Sequence, residues 1–235
     1  MSDGAIVWHE LADGEAWVRA IADDTASSLR DAIARDGAAS LLVSGGRSPV
    51  PVFDALAMAD LDWSRVSVGL VDERWVPPDN EASNTRLVRE HLLRDRAASA
   101  RFHPLARADG DRERAVAGAN AWFPDAPTVA LLGMGDDGHT ASLFPGMAAL
   151  DAAFADDGPY RAVDAAGCPG AQAWAERLTL VPAAFARIAS LCLLIRGEHK
   201  RTLLRQALAD DDAWRWPVLA AVHAAATRFT VYWAP

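Results

Sequence analysis

Lysine is almost missing from this sequence. Of 23 lysine and arginine residues one alone, Lys200, is a lysine. A planar guanidinium fork and a compact ammonium are not interchangeable where geometry matters, so the lone lysine is either chance or a position that needs a point charge. Cysteine is scarce too. Cys168 and Cys192 are too few and too far apart for a disulfide framework or a metal knuckle. Cys192 lies within an apolar run, and both read as inert thiols of a reducing compartment. No apolar run approaches the ~20 residues that a membrane helix requires. Met1–Glu10 has no basic patch followed by an apolar core, so no signal peptide is expected and the chain reads as cytoplasmic. An excess of positive charge is also absent: the net charge is −9 and the basic residues form no long run. That argues against nucleic acid or a membrane as partner. An anionic small molecule remains open, provided a local positive pocket is set in the acidic surface.

What is present is an α/β pattern. The 235 residues are 51% hydrophobic, enough to fill the core of one domain over residues 1–235. Apolar runs of strand length recur at Ser40–Ser44, Val66–Val71, Thr128–Leu132, Ser190–Ile195 and Phe229–Trp233. They do not alternate with polar residues, which is the pattern of strands buried on both faces of a parallel sheet. Helical stretches lie between them at Glu15–Arg35, Val50–Met58, Asn84–Arg94, Arg112–Ala121 and Glu198–Ala209. The order predicts a doubly wound, mostly parallel, Rossmann-like sheet with helices on both faces. A weaker strand at Tyr160–Asp164, flanked by tight turns, reads as an excursion from that sheet.

Polar, glycine-bearing segments follow four of the strands: Ser44-Gly45-Gly46-Arg47-Ser48-Pro49, Asp72-Glu73-Arg74, Gly133–His139 and Arg196–Lys200. The carboxyl ends of parallel strands share one edge, where ligands bind, so the four converge on one site. The first segment joins a strand to a helix starting near Pro49. Its glycines allow a tight turn whose N–H groups could face an anion, although an ordinary βα turn would look the same. A Walker A ending is absent. Gly133–Gly138 matches G-x-G-x-x-G, but its two aspartates would repel a pyrophosphate and no acidic strand end follows at the required distance. His139 comes next. An imidazole titrates near neutrality and can take a proton from water, and Asp137 could fix its tautomer. The alternatives are a histidine bonded within a turn, or a metal held by Asp72, Asp136 and His139. No second histidine stands at ligand spacing for the latter.

Five segments together resemble the 6-phosphogluconolactonase family: SGGRSP (Ser44–Pro49), VDERWVPPDNEASN (Val71–Asn84), LLGMGDDGHTASLFPG (Leu131–Gly146), ERLTL (Glu176–Leu180) and RGEHK (Arg196–Lys200). The resemblance implies hydrolysis of a sugar-phosphate lactone, 6-phosphoglucono-δ-lactone, in the oxidative pentose phosphate pathway, with no cofactor and no metal. It makes His139 the general base. It makes Arg74 and Lys200 the holders of the phosphate beside the Ser44-Gly45-Gly46 backbone. Asp72 and Asp137 become site carboxylates and Arg177 a further substrate-side residue. Arg47-Ser48 stands where the family often carries another pair.

Two other readings share part of this pattern. Hexosamine-6-phosphate deaminases carry a related histidine segment with a working glutamate, where this chain has Phe144, and a phenyl ring cannot shuttle a proton. A sugar-phosphate-sensing module would be expected to carry a DNA-binding region, and the stretch before Ser40 is too short and too acidic for one.

Overall fold

The structure, a computed structural model, describes residues 6–105, 110–225 and 229–235. In chain order its elements are β1 (Val7–Glu10), α1 (Gly14–Asp36), β2 (Ala39–Val43), α2 (Val50–Ala57), β3 (Val66–Leu70), β4 (Asp72–Arg74), α3 (Asn84–His91), β5 (Arg101–His103), α4 (Arg112–Trp122), β6 (Val129–Leu132), α5 (Leu150–Phe154), β7 (Tyr160–Asp164), β8 (Glu176–Leu180), α6 (Pro182–Phe185), β9 (Ser190–Arg196), α7 (Gly197–Asp210), α8 (Val218–Ala224) and β10 (Phe229–Ala234). Seven strands form one sheet in the order β1-β10-β9-β6-β2-β3-β5, and every pairing in it is parallel. The apolar runs β2 and β6 are buried along their whole length, as strands covered on both faces must be.

The chain winds outward in two directions. From β2 it steps to β3 and then β5; from β6 it steps the other way to β9 and β10. Parallel crossovers are right-handed, so helices of the two halves lie on opposite faces. α1 packs on β2, β6 and β10 and against α2, whereas α7 packs on β9 and β10. α1 is held at both ends: the Asp13 side chain accepts from Ala16 N–H, and Gly37 closes the helix in the left-handed region. Trp17, Trp63, Phe53 and Leu41 are among the largest fully buried side chains.

Two expectations change. Asp72-Glu73-Arg74, read as a segment trailing a strand, is itself a strand. It pairs antiparallel with β8, which pairs antiparallel with β7. The central excursion is therefore part of a second, three-stranded sheet. The chain crosses from one sheet to the other at Val71, whose N–H bonds to Val43 O and whose carbonyl accepts from Leu180 N–H. The buried Tyr160 hydroxyl donates to Leu70 O at 2.7 Å and fastens β7 to the end of β3. The strands β1, β5 and β8 were not expected, being short or mixed in polarity.

One buried carboxylate anchors this crossing. Glu73 is fully buried. One of its oxygens accepts from the N–H groups of Arg74 and Asn84, and the other from Thr85 N–H and the Ser83 hydroxyl. It thereby caps α3 and ties that helix to β4. Burial holds its carboxyl above the ordinary value even though the four donors act against this. Glu73→Gln places an amide N–H against donors that need an acceptor. The variant should lose about 2–4 kcal/mol, read as a lower urea midpoint; an unchanged midpoint would show that the network is dispensable.

Candidate active site

The strand order reverses between β2 and β6, and it is at such a switch point that an open parallel sheet leaves a crevice at its carboxyl edge. A cavity of about 300 Å³ lies there, lined by residues that follow β2, β3, β6 and β9. Ser44, Gly45, Gly46, Asp72, Arg74, His139, Arg177 and Lys200 all line it. Asp137 stands behind His139.

The loop after β6 is built to present the imidazole. Gly135 N–H bonds to His139 O, and the His139 N–H returns to Asp137 Oδ1 at 3.1 Å. The Thr140 hydroxyl ties the loop to Gly133 O, and Val218 N–H fastens Gly138 O from outside. His139 Nδ1 lies 2.5 Å from Asp137 Oδ1, leaving Nε2 as the ring nitrogen free of that bond. The Phe144 ring packs 4.4 Å from the imidazole, centroid to centroid, and is fully buried. Burial acts to raise the Asp137 carboxyl, but the hydrogen bond and charge of His139 outweigh it and hold the group below its ordinary 3.8. Asp137 is therefore ionised at neutral pH. For a depressed carboxylate, the stabilisation is present above the unfolded value and fades as pH falls through the folded one.

The phosphate-loop candidates divide by role. Gly46 takes φ +97°, a region open to glycine. A Cβ at Gly45 would overlap the Asn84 side-chain amide, so the β2 loop lies directly on Asn84. Asn84 donates to Asp72 O at 2.8 Å and accepts from Arg74 Nη1 at 3.1 Å. Arg74 Nη1 is also held by Ala82 O at 2.7 Å. Its Nε and the Ser44 hydroxyl are buried and have no protein partner. Asp72 accepts from the Ser142 hydroxyl at 2.6 Å.

Two residues expected at the substrate are already engaged by the protein. Arg177 is 4% exposed. Its Nε donates to Trp174 O and its Nη2 to Ala171 O, while Nη1 lies 3.4 Å from Ser142 Oγ and 3.8 Å from Asp72. Three of its five N–H donors hold residues 171–174 and Ser142, so it braces the cavity that it also lines. Lys200 donates to Met134 O and pairs with Asp136, both at 2.7 Å. His199 does not line the cavity, and its side chain is largely exposed. Among the described residues no group of three His, Cys, Asp or Glu side chains is placed to hold a metal ion.

Sequence reasoning passed over Asn84, Ser142 and Gly170. The first two lie inside the quoted motifs, but nothing local distinguishes them from a capping residue or a turn hydroxyl. Gly170 gave no signal beyond its tight turn.

A model of the family described as glucosamine-6-phosphate isomerases/6-phosphogluconolactonase matches residues 12–233. The chain belongs to this family. A 6-phosphogluconolactonase of Xylella fastidiosa (strain 9a5c) is 41% identical over 234 residues, 99% of this chain and 98% of the relative. One of Rhizobium meliloti (strain 1021) is 43% identical over 234 residues, covering 97% and 98%. The crystal structure of a 6-phosphogluconolactonase from Shewanella baltica OS155 matches with a TM-score of 0.91 at 36% identity, over 98% of both chains. The matched residues include the small sheet, the large sheet apart from β1 and the last residue of β10, and every segment that meets at the cavity.

Gly170 gives a direct test of the imidazole–carboxylate pair. A Cβ there would run into Asp137 Oδ2 and come within 3.1 Å of His139 Nδ1 and the Phe144 ring. Gly170→Ala should lower kcat at least about tenfold, since misplacing a reacting group by an ångström is that costly, while the unfolding temperature falls only slightly. Full turnover in this variant would mean that the seat of His139 tolerates displacement.

Proposed function

We propose that the cavity hydrolyses 6-phospho-D-glucono-1,5-lactone to 6-phospho-D-gluconate, with His139 as the general base. The chain is a hydrolase of the 6-phosphogluconolactonase type, as its full-length relatives at 41% and 43% identity indicate, and its place is the oxidative pentose phosphate pathway. The observation that carries the mechanism is the coincidence, in one cavity, of an imidazole backed by a carboxylate and of two buried donors without protein partners, Ser44 Oγ and Arg74 Nε.

The steps follow from this arrangement. Asp137 on Nδ1 fixes the tautomer that leaves Nε2 basic. His139 takes a proton from water as its oxygen attacks the lactone carbonyl. The tetrahedral intermediate then collapses, the bond from the carbonyl carbon to the ring oxygen breaks, and His139 returns the proton to that oxygen. Ser44, the Gly45-Gly46 backbone, Arg74 and Lys200 hold the phosphate at the other end. Binding energy gathered there keeps the carbonyl in reach of the water. Asp72, fixed by Ser142 and Asn84, faces the cavity as an acceptor for sugar hydroxyls. Arg177 keeps that wall in place. No cofactor enters, and no metal ion is needed for any step.

The family's description also names glucosamine-6-phosphate isomerases. Hexosamine-6-phosphate deaminases carry a working glutamate where this chain has Phe144, and a phenyl ring buried against His139 has no proton to give. Glucosamine 6-phosphate should therefore release no ammonia.

His139→Ala should lower turnover of freshly generated lactone by roughly 10²–10⁴-fold, after correction for spontaneous hydrolysis, and still bind 6-phosphogluconate. Near-normal turnover would remove His139 from the mechanism. Dialysis against a chelator should leave the wild-type rate intact; a loss restored by one divalent ion would overturn the metal-free route.

A further inference from the structure

Lys200 is not a free cation awaiting a ligand. An ammonium has three N–H donors, and two are committed, to Met134 O and to Asp136 Oδ1. The partners differ in kind. Met134 O is a fixed backbone acceptor at the end of β6, whereas Asp136 is 79% exposed, against 21% for Lys200. Asp136 lies outside the cavity lining and Lys200 within it. The hydrogen bond and charge of Lys200 hold the Asp136 carboxyl below its ordinary range, so it is an anion at any working pH. His199, 3.7 Å from the same oxygen, adds a second contact on the solvent side.

We propose that Asp136 is a built-in counter-ion of Lys200 which the substrate phosphate must displace, so that this residue sets the affinity for phosphate and assists departure of the product. The inference rests on the reading that Lys200 holds the phosphate.

The physical case has three parts. A cation in the first turn of a helix is unfavourable, because the helix start prefers negative charge, and Asp136 neutralises it while the cavity is empty of anion. An exposed ion pair is weak and screened, so a phosphate dianion can take its place while the Met134 carbonyl keeps Nζ aimed. A monoanion gains much less from the exchange, which biases the site toward doubly charged groups. After hydrolysis the carboxylate is still tethered a few ångströms away. It competes with the product for the same ammonium and shortens its stay.

The test is a double-mutant cycle read by calorimetry with 6-phosphogluconate, with gluconate as the ligand that lacks phosphate. Asp136→Asn should bind 6-phosphogluconate about three- to fivefold more tightly, the scale of an exposed ion pair, with a lower KM for lactone and slower product release. Gluconate binding should not tighten. In a Lys200→Met background the gain from Asp136→Asn should vanish, since the two residues act as a unit. Equal tightening in both backgrounds would reduce Asp136 to a general charge effect and overturn the proposal. Weaker binding by Lys200→Met together with unchanged binding by Asp136→Asn would overturn it and leave the phosphate reading standing. Unchanged binding by Lys200→Met would overturn both.

Discussion

Parallel strands end together. A strand in the middle of such a sheet is hydrogen-bonded on both sides until its last residue, and the chain then has to leave with its polar groups uncovered. In this protein β2, β3, β6 and β9 all leave at the same edge, and the reversal of direction between β2 and β6 prevents their loops from covering one another. The residues proposed to bind the substrate line that opening. The helices and the small second sheet act on it from outside: β8 brings the brace Arg177, α7 brings Lys200, and α3 brings Asn84.

The side chains in the opening are held by partners chosen for rigidity. Asp72, on the cavity wall, and Asp137, behind His139, are both carboxylates, yet their settings differ. Asp137 is bonded to an imidazole and to the backbone N–H of the same residue. Asp72 is bonded to a hydroxyl and an amide, with a guanidinium nearby. The first arrangement fixes a tautomer; the second fixes an acceptor. Glu73, between Asp72 and Arg74, turns the other way and spends its charge on backbone donors of α3. Successive side chains of a strand point to opposite sides, so a three-residue strand serves the cavity with its first and third residues and the fold with its second.

That alternation also explains how much could be read from the sequence. The continuous apolar strands announced the parallel sheet, because burial on both faces leaves no polar positions. The four polar segments after them located the cavity. The contact between His139 and Asp137 was legible because it is local, between residues two apart on one turn. Arg177 and Lys200 were legible as members of the site but not in their bonding. Their partners, Trp174 O, Ala171 O, Met134 O and Asp136, are set by loop paths that no periodicity encodes. The small sheet was hidden for the same reason: β4 has three residues, all charged, and only its pairing with β8 makes it a strand.

The Phe144 ring has a consequence for how two walls of the cavity are spaced. Its centroid is 4.4 Å from that of the imidazole, and the Arg177 guanidinium carbon is 5.6 Å from the same centroid. An aromatic face attracts cations, so one buried ring touches both the loop after β6 and the guanidinium carried by β8. It acts as a spacer between them. A smaller side chain at this position would leave a void, and the imidazole and the guanidinium would lose the surface that keeps them apart.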